Sequence, residues 1–285
     1  MSGVAFALLA GLCFGALNIT MRLALTRVAD VDAGSAAISS LALLLVAATA
    51  LAVGTELHAG ELWPFVLVGA LVPGISQVLV IHAVDAAGAS RAGILFGMSP
   101  LFSALIAVVA FDEPLRWPLA VGTLLVVSGG AALAWEAQRP AGYRALGAVL
   151  AVFVALLFGI RDNIGRAVTE DVSADALAQS AAVMLGAVAV LVPNLLRQHS
   201  ALPRLRAALP AFALSAVVTA LAQVLLFAAL DRTRVTIVAP LTGTGVLWTV
   251  LLAAVFLGRS ELVGRRLLVV SLLVVAGSAL VAAAR

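Results

Sequence analysis

Nearly the same nine residues occur twice in this chain, as "QVLVIHAVD" at Gln77–Asp85 and as "QVLLFAALD" at Gln223–Asp231. Each copy begins with glutamine, continues through apolar residues and ends with aspartate, and the copies are 146 positions apart. A duplicated stretch of this kind predicts an internal repeat. The remaining sequence shows how far that repeat extends.

The repeat covers the whole chain. "FGALNITMR" at 14–22 aligns with "FGIRDNIGR" at 158–166, which sets Asn18 against Asp162. "SRAGI" is followed later by "TRVTI", and "VVSGGAAL" by "VVAGSAL". We therefore predict two related halves, residues 1–138 and 139–285, joined near "EAQRPAGYR".

The composition is that of an integral membrane protein. Of 285 residues, 64% are apolar and 11% are charged, whereas soluble domains have roughly 45–50% apolar and about 25% charged residues. The basic residues are arginines scattered between apolar runs, which argues against a nucleic-acid-binding surface. Cys13 is the only cysteine, so no internal disulfide can form.

Ten apolar runs are long enough to be membrane-spanning helices, because a bilayer core requires about 20 helical residues. Strands are excluded because the runs are too long and lack alternation. The predicted spans are 3–25, 34–54, 62–84, 91–111, 117–135, 145–168, 175–196, 208–230, 234–257 and 262–283.

Five spans in each half have a geometric consequence. A unit that crosses five times delivers its copy to the opposite side, so the two halves are predicted to be inverted repeats. Secondary transporters use this architecture, with a midplane site between the repeats and alternating access. The fold class is therefore all-α, with ten transmembrane helices in two inverted five-helix repeats.

Several motifs resemble those of the drug/metabolite transporter superfamily, and of its EamA-type ten-helix exporters in particular. They are "FG..N" in the first span, "GASRAGILFGMSPLFSALIAVVAFDEPL" with Pro100 thirteen residues before Glu113, and the later Gly122 and Gly129. The resemblance implies export of metabolites, amino acids or drugs across the inner or plasma membrane. In the second half, Val246 replaces the proline and Arg259 the glutamate.

Arg161 and Asp162 lie some sixteen residues into the sixth span. Ionisable groups at this depth cost roughly 2.5 to 3.5 kcal/mol and must face protein or water. One interpretation is a structural pair of Asp162 with Arg166, which leaves Arg161 unmatched. The other is functional: Arg161 binds a substrate carboxylate, and Asp162 binds an ammonium group or a coupling proton.

Other polar or aromatic residues within spans are candidates for substrate binding. Gln77, Gln223 and Asn18 can serve either as interhelical hydrogen bonds or as cargo ligands. Trp248 can fill space or form the wall of a cavity. By contrast, Arg22, Arg91, Asp85, Asp231 and Arg234 lie near span ends, where pairing or anchoring is expected.

Proline and glycine predict hinges or kinks in three spans. Pro73 lies in the third span and Pro100 in the fourth, whereas Pro240, Gly243 and Gly245 interrupt the ninth. Four-residue spacing of Gly11 with Gly15 and of Gly93 with Gly97 predicts close helix packing.

The sequence contains no HExxH motif, GxSxG motif or Cys/His cluster that would indicate an enzyme, a metal site or a bound cofactor. The expected partners are a small-molecule substrate, the lipid bilayer and a proton, with the chain a monomer or a homodimer. The alternatives are a lipid or lipid-linked flippase and a membrane partner subunit that does not transport. Arginine counts place both termini outside and the family resemblance places them in the cytoplasm, so orientation stays open.

Overall fold

The computed structural model describes residues 2–55, 59–110, 117–134, 142–169, 175–233, 235–258 and 261–283. In these ranges every regular element is helical, and no strand occurs. The helices are α1 (Gly3–Leu25), α2 (Val31–Val53), α3 (Ala59–Gly69), a π-helical segment (Ala70–Ile75), α4 (Ser76–Ala87), α5 (Ala89–Phe96), α6 (Ser99–Ala110), α7 (Trp117–Ala134), α8 (Ala145–Thr169), α9 (Ala176–Leu196), α10 (Ala201–Leu230), α11 (Val235–Gly243), α12 (Gly245–Phe256) and α13 (Arg265–Ala283).

Eight apolar helical stretches in the described residues are long enough to cross a membrane. They are Gly3–Leu25, Val31–Val53, Gly60–Ala87, Ala89–Ile106, Ala145–Ile164, Ala176–Leu196, Ala201–Leu230 and Ile237–Phe256. The two remaining predicted spans coincide with α7 and α13, which pack against each other. The chain is therefore a multi-pass helical membrane protein.

One predicted boundary was wrong by seven residues. The eighth span was expected to begin at 208, but α10 begins at Ala201. Pro203 lies in the first turn of the helix, where a missing N–H costs no hydrogen bond. The guanidinium of Arg204 is paired with Asp30 at the end of the bundle, so the helix carries this charge without burying it unpaired.

Three spans are broken helices. In the third, the π-helical segment contains an extended residue, Val72, directly before Pro73. The fourth is interrupted at Gly97 and Met98, between α5 and α6, and the ninth at Thr244, between α11 and α12. In the repeat these last two breaks occupy corresponding positions. Such paired interruptions are typical of transporter binding sites.

The helices form two bundles, and each contains a helix from the other half of the chain. The first bundle is α1 with α10, α11 and α12; the second is α8 with α3, the π-helical segment, α4, α5 and α6. In the repeat, α8 corresponds to α1. Likewise, α10 corresponds to α3 and α4, and the pair α11 and α12 corresponds to the pair α5 and α6. The first helix of each half thus packs on the third and fourth spans of the other half.

Glycines allow this crossed packing. A Cβ on Gly15 of α1 would lie 2.6 Å from the Cβ of Trp248 and 2.8 Å from the carbonyl oxygen of Gly245. Gly159 of α8 faces α6 in the same way, since its Cβ would lie 2.7 Å from the backbone nitrogen of Ser103. Because both contacts involve backbone atoms, a side chain at either glycine would force the helices apart.

The glycine pairs predicted to be packing positions are confirmed in that role. Gly11 lies against the carbonyl oxygen of Leu241, so the Gly11 and Gly15 pair seats α1 on α11 and α12. Gly93 and Gly97 of α5 face Thr249 and Val246 of α12.

Helix α1 connects two opposite ends of the molecule. At its beginning, Gly3 contacts Thr233, and the Phe6 ring lies 5.0 Å from the Arg232 guanidinium. At its other end Arg22 contacts Asp85. Residues 3 and 22 are separated by about 29 Å along a helix. We call these regions the Asp231 end and the Asp85 end.

Most ion pairs among the described residues lie at the Asp85 end. Asp85 is held by both Arg22 and Arg144, at 3.3 and 3.0 Å. Nearby, Asp30 caps α2 and pairs with Arg204, with an Nη2–Oδ1 distance of 2.8 Å. The hydrogen bond from Arg204 holds the pKa of the Asp30 carboxyl below its usual value. These pairs confirm the expectation for Arg22 and Asp85.

A buried ion pair joins the two halves at the same end. The carboxylate of Glu261 accepts hydrogen bonds from the backbone N–H groups of Ala89 (2.8 Å) and Ser90 (3.2 Å), at the start of α5. Arg91 donates to the carbonyl oxygen of Glu261 at 2.8 Å, and each of the two residues is 1% exposed. The Glu261 charge therefore caps α5 and compensates Arg91.

Replacing Glu261 with glutamine removes the charge that caps α5 and that pairs with the buried Arg91. We expect a loss of about 3 to 5 kcal/mol of stability, as for other broken buried pairs. Thermal unfolding of the purified protein in detergent measures this loss. The control is Glu61→Gln, since Glu61 is an exposed acid in the first turn of α3. Equal unfolding temperatures for the two variants would contradict the assignment.

Candidate functional site

The two bundles contact each other at the Asp85 end. There α1 packs against α4 and α5, and α5 packs against α12. The repeat counterparts of these contacts would join α8 to α10, α8 to α11, and α6 to α11. None of these three forms a comparable contact within the described residues. Within those residues the bundles therefore meet only at the Asp85 end.

Aromatic rings lie beside the polar residues of α8. Phe96, the last residue of α5, contacts Phe158 with ring centroids 6.0 Å apart. The guanidinium of Arg161 lies over the Phe158 ring, 5.1 Å from its centroid. Since α5 also packs against α12, these rings lie beside the contact between the two bundles. Arg161 lies one helical turn further toward the Asp231 end.

Arg161 and Asp162 form an ion pair with each other. Arg161 donates from Nε and Nη2 to Oδ1 of Asp162, at 2.9 and 2.7 Å. The expectation that Arg161 is unmatched was therefore wrong, because the long arginine side chain can bend back to the adjacent carboxylate. The alternative partner Arg166 has a side chain outside the described residues. The side chain of Arg161 is 27% exposed and that of Asp162 is 39% exposed, so the pair is not buried in the protein interior.

Two asparagines tie the first helix of each half to the broken helix of the other. Asn18 donates to the hydroxyl of Thr249 at 3.1 Å. Asn163 donates to the hydroxyl of Ser103 at 3.1 Å and to its carbonyl oxygen at 3.0 Å. Ser103 and Thr249 are 146 positions apart, the spacing of the nonapeptide.

Asn163 therefore makes the contact in the second half that Asn18 makes in the first, although the alignment that pairs Gly15 with Gly159 sets Asn18 against Asp162. Sequence reasoning missed Asn163 and Ser103, because Asn163 lies one residue after the aligned position. Asn18 therefore takes the interhelical role that was one of its two interpretations.

The two glutamines differ in their surroundings. Gln77 is buried on α4, and its amide nitrogen lies 3.5 Å from the sulfur of Met21 on α1. Gln223 on α10 is 8% exposed, and its amide makes no hydrogen bond with the described part of the chain. Of the two glutamine amides, only that of Gln223 makes no hydrogen bond within the described residues.

The remaining candidates lie on or beside the broken helices. Trp248 is 37% exposed on α12, so it is not a buried space-filling residue. Pro73 lies in the π-helical segment, and Pro100 is the second residue of α6, directly after the break. In the ninth span, Pro240 and Gly243 belong to the last turn of α11 and Gly245 begins α12.

Gly15→Ala tests the crossed packing directly. The added methyl group would meet backbone atoms of α12, so we expect a loss of about 1 to 3 kcal/mol from overpacking. Gly60→Ala is the control, since nothing lies within 4 Å of a Cβ at that position. Thermal unfolding in detergent compares the two variants, and a Gly15→Ala protein as stable as the control would refute the close approach.

Comparison with known proteins agrees with this architecture. A crystal structure described only as "Crystal structure of protein" is similar over 98% of this chain and 95% of that one, with a TM-score of 0.62 and 17% identity. At this identity the likeness concerns the fold alone. A search of curated proteins found no match. The EamA-like transporter family matches residues 1–135 and again residues 145–283. The predicted resemblance is confirmed, and the chain belongs to the EamA-like transporter family.

Proposed function

We propose that this protein is a secondary transporter that exports small metabolites, such as amino acids or related organic compounds, by alternating access. The observation that carries the proposal is the contact between the bundles at the Asp85 end, for which the described residues show no counterpart at the Asp231 end. Alternating access requires such a contact on one side of the substrate site and an aqueous opening on the other.

Inversion of the two halves is part of this proposal. Asp85 and Asp231 are repeat counterparts, yet α1 runs from the neighbourhood of one to that of the other. Such a placement is expected if each half crosses the membrane five times, giving ten spans in total. The reciprocal packing of α1 on the second half and of α8 on the first supports the same twofold relation.

The Arg161 and Asp162 pair indicates the substrate class. A guanidinium presents five N–H donors, and Arg161 uses two of them on Asp162. Its remaining donors suit a carboxylate, and the second oxygen of Asp162 suits an ammonium group. A zwitterionic amino acid can therefore bind across the pair, beside the Phe158 ring.

The other candidates surround this pair in the proposed cycle. Gln223 offers its free amide from α10, and Trp248 provides a wall from α12. Asn18 and Gln77 act mainly through neighbouring helices, and each can reach substrate when the packing changes. The interruptions near Pro73, Pro100, Pro240, Gly243 and Gly245 provide the bending points.

Further features of the proposed function follow the sequence predictions. Asp162 is the proposed carrier of a coupling proton, since a carboxylate can exchange an ammonium ligand for a proton. The proposed location is the cell membrane, with the chain a monomer or a homodimer.

Replacing Arg161 with glutamine tests the substrate site. Loss of a charge-assisted contact of about 1.5 to 3 kcal/mol corresponds to roughly a tenfold to hundredfold loss of flux. Uptake of a panel of radiolabelled amino acids into proteoliposomes measures it, with Arg206→Gln as control because Arg206 is exposed on α10.

The same proteoliposomes distinguish the proposed transporter from the two alternative functions. Scrambling of a fluorescent lipid without amino-acid flux would identify a flippase, and the absence of both activities would favour a partner subunit. Unchanged flux in a folded Arg161→Gln protein would remove Arg161 from the site.

A further inference from the structure

The second helix of each half packs against the second helix of the other half. Helices α2 and α9 are repeat counterparts, and they lie antiparallel in contact with each other. Exchange of the two halves therefore turns this contact into itself. By the same exchange, the contacts of α1 with α4 and of α5 with α12 become contacts between other helices.

Hydrogen bonds close the contact between α2 and α9 at both of its ends. At the Asp85 end, the amide of Gln198, which follows α9, donates to the carboxylate of Asp32 in the first turn of α2 at 3.1 Å. At the Asp231 end, the hydroxyl of Thr55, which follows α2, donates to the carboxylate of Asp175 at the start of α9 at 3.4 Å. Asp32 and Asp175 are 143 positions apart, and so are Thr55 and Gln198. The two hydrogen bonds are thus repeat counterparts, and both are formed at once.

Each of the two helices is also fastened to a different bundle. Gly34 of α2 lies against the aromatic ring of Phe212 in α10, where a Cβ on the glycine would be 2.6 Å from Cζ of the ring. Gly186 of α9 lies against the carbonyl oxygen of Val66 in α3. Since α10 belongs to the first bundle and α3 to the second, the contact between α2 and α9 joins the two bundles.

Small side chains form part of the surface between these helices. Ala36 and Ala37 of α2 share one buried cluster with Ala187 of α9, and Ala42 of α2 shares a second with Ala178 of α9. Methyl side chains interdigitate little, so one helix can tilt on the other with little repacking. Small displacements of packed helices of this kind are a known form of domain motion.

We propose that the contact between α2 and α9 is the pivot on which the two bundles rock, and that it stays closed at both ends throughout the transport cycle. This proposal rests on the proposed alternating access and assigns its axis. In an inverted repeat the two end states exchange the roles of the halves. A contact that maps onto itself therefore has the same energy in both states, whereas the contact of Arg22 with Asp85 can distinguish between them.

Cross-linking of cysteine pairs in a Cys13→Ser background tests this assignment. A short thiol-specific cross-linker that reduction removes is applied to two pivot pairs and to one pair at the contact between the bundles. The pivot pairs are Asp32→Cys with Gln198→Cys and Thr55→Cys with Asp175→Cys, and the third pair is Arg22→Cys with Asp85→Cys. Single-cysteine variants treated in the same way control for attachment of the reagent.

Two measurements follow the opening of the Asp85 end. Hydrogen exchange of the peptides that cover α4 and α5 reports this opening without knowledge of the cargo. Uptake of the radiolabelled amino-acid panel into proteoliposomes reports complete cycles. We expect the pivot cross-links to change neither quantity, and the link between positions 22 and 85 to lower both by about tenfold, with recovery on reduction.

The outcomes distinguish failure of the pivot from failure of the transporter mechanism. If a pivot cross-link also lowers hydrogen exchange or uptake, the pivot is overturned and alternating access stands. Failure of either pivot pair to cross-link in a folded protein would overturn the contact itself. If the link between positions 22 and 85 leaves hydrogen exchange unchanged, the Asp85 end does not open, so alternating access fails and the pivot fails with it. Thermal unfolding of every variant establishes that it is folded.

Discussion

The structure depends on one packing constraint, which is that the first helix of each half lies against the broken helix of the other. Gly15 and Gly159 allow backbone contact at these two crossings, and an asparagine one turn beyond each glycine donates to the hydroxyl of Thr249 or Ser103. In a bilayer no hydrophobic effect draws helices together, so close packing and hydrogen bonds must supply the association. The halves are therefore interlocked, and the moving units of the proposed cycle are bundles that each mix both halves.

The crossed packing of the two halves places the two copies of the nonapeptide in different bundles. The contacts of α1 with the second half have counterparts in the contacts of α8 with the first half, so each contact within one bundle recurs in the other. Between the bundles, the described residues form contacts at the Asp85 end, where α4 and α5 meet α1 and α12. In the proposed inverted arrangement, this one-sided contact is a conformational asymmetry. The proposed substrate pair, Arg161 and Asp162, lies beside the Phe158 ring, which contacts Phe96.

Much of the fold was predictable from the sequence because hydrophobic length and the repeat are strong signals. Pairing or anchoring of Arg22 and Asp85 was expected from their positions at span ends, although the sequence did not pair them with each other. The partners of buried polar groups were not predictable, since they join residues from 56 to 231 positions apart. Glu261 illustrates this difficulty: the alignment placed Arg259 opposite the family glutamate, but a glutamate two residues later caps α5. Pairing of adjacent Arg161 and Asp162 was missed because helical spacing was considered without the length of the arginine side chain.

The central claim is that the two halves are inverted, and the sidedness of their corresponding ends tests it most directly. Ala29 lies at the Asp85 end and Arg232 at the Asp231 end, and both are exposed. Single cysteines at these positions in a Cys13→Ser background can be labelled with an impermeant maleimide in sealed right-side-out and inverted vesicles. We predict that Ala29→Cys and Arg232→Cys are labelled from opposite sides of the membrane. Labelling of both from the same side would contradict the inversion, and with it the proposed alternating access.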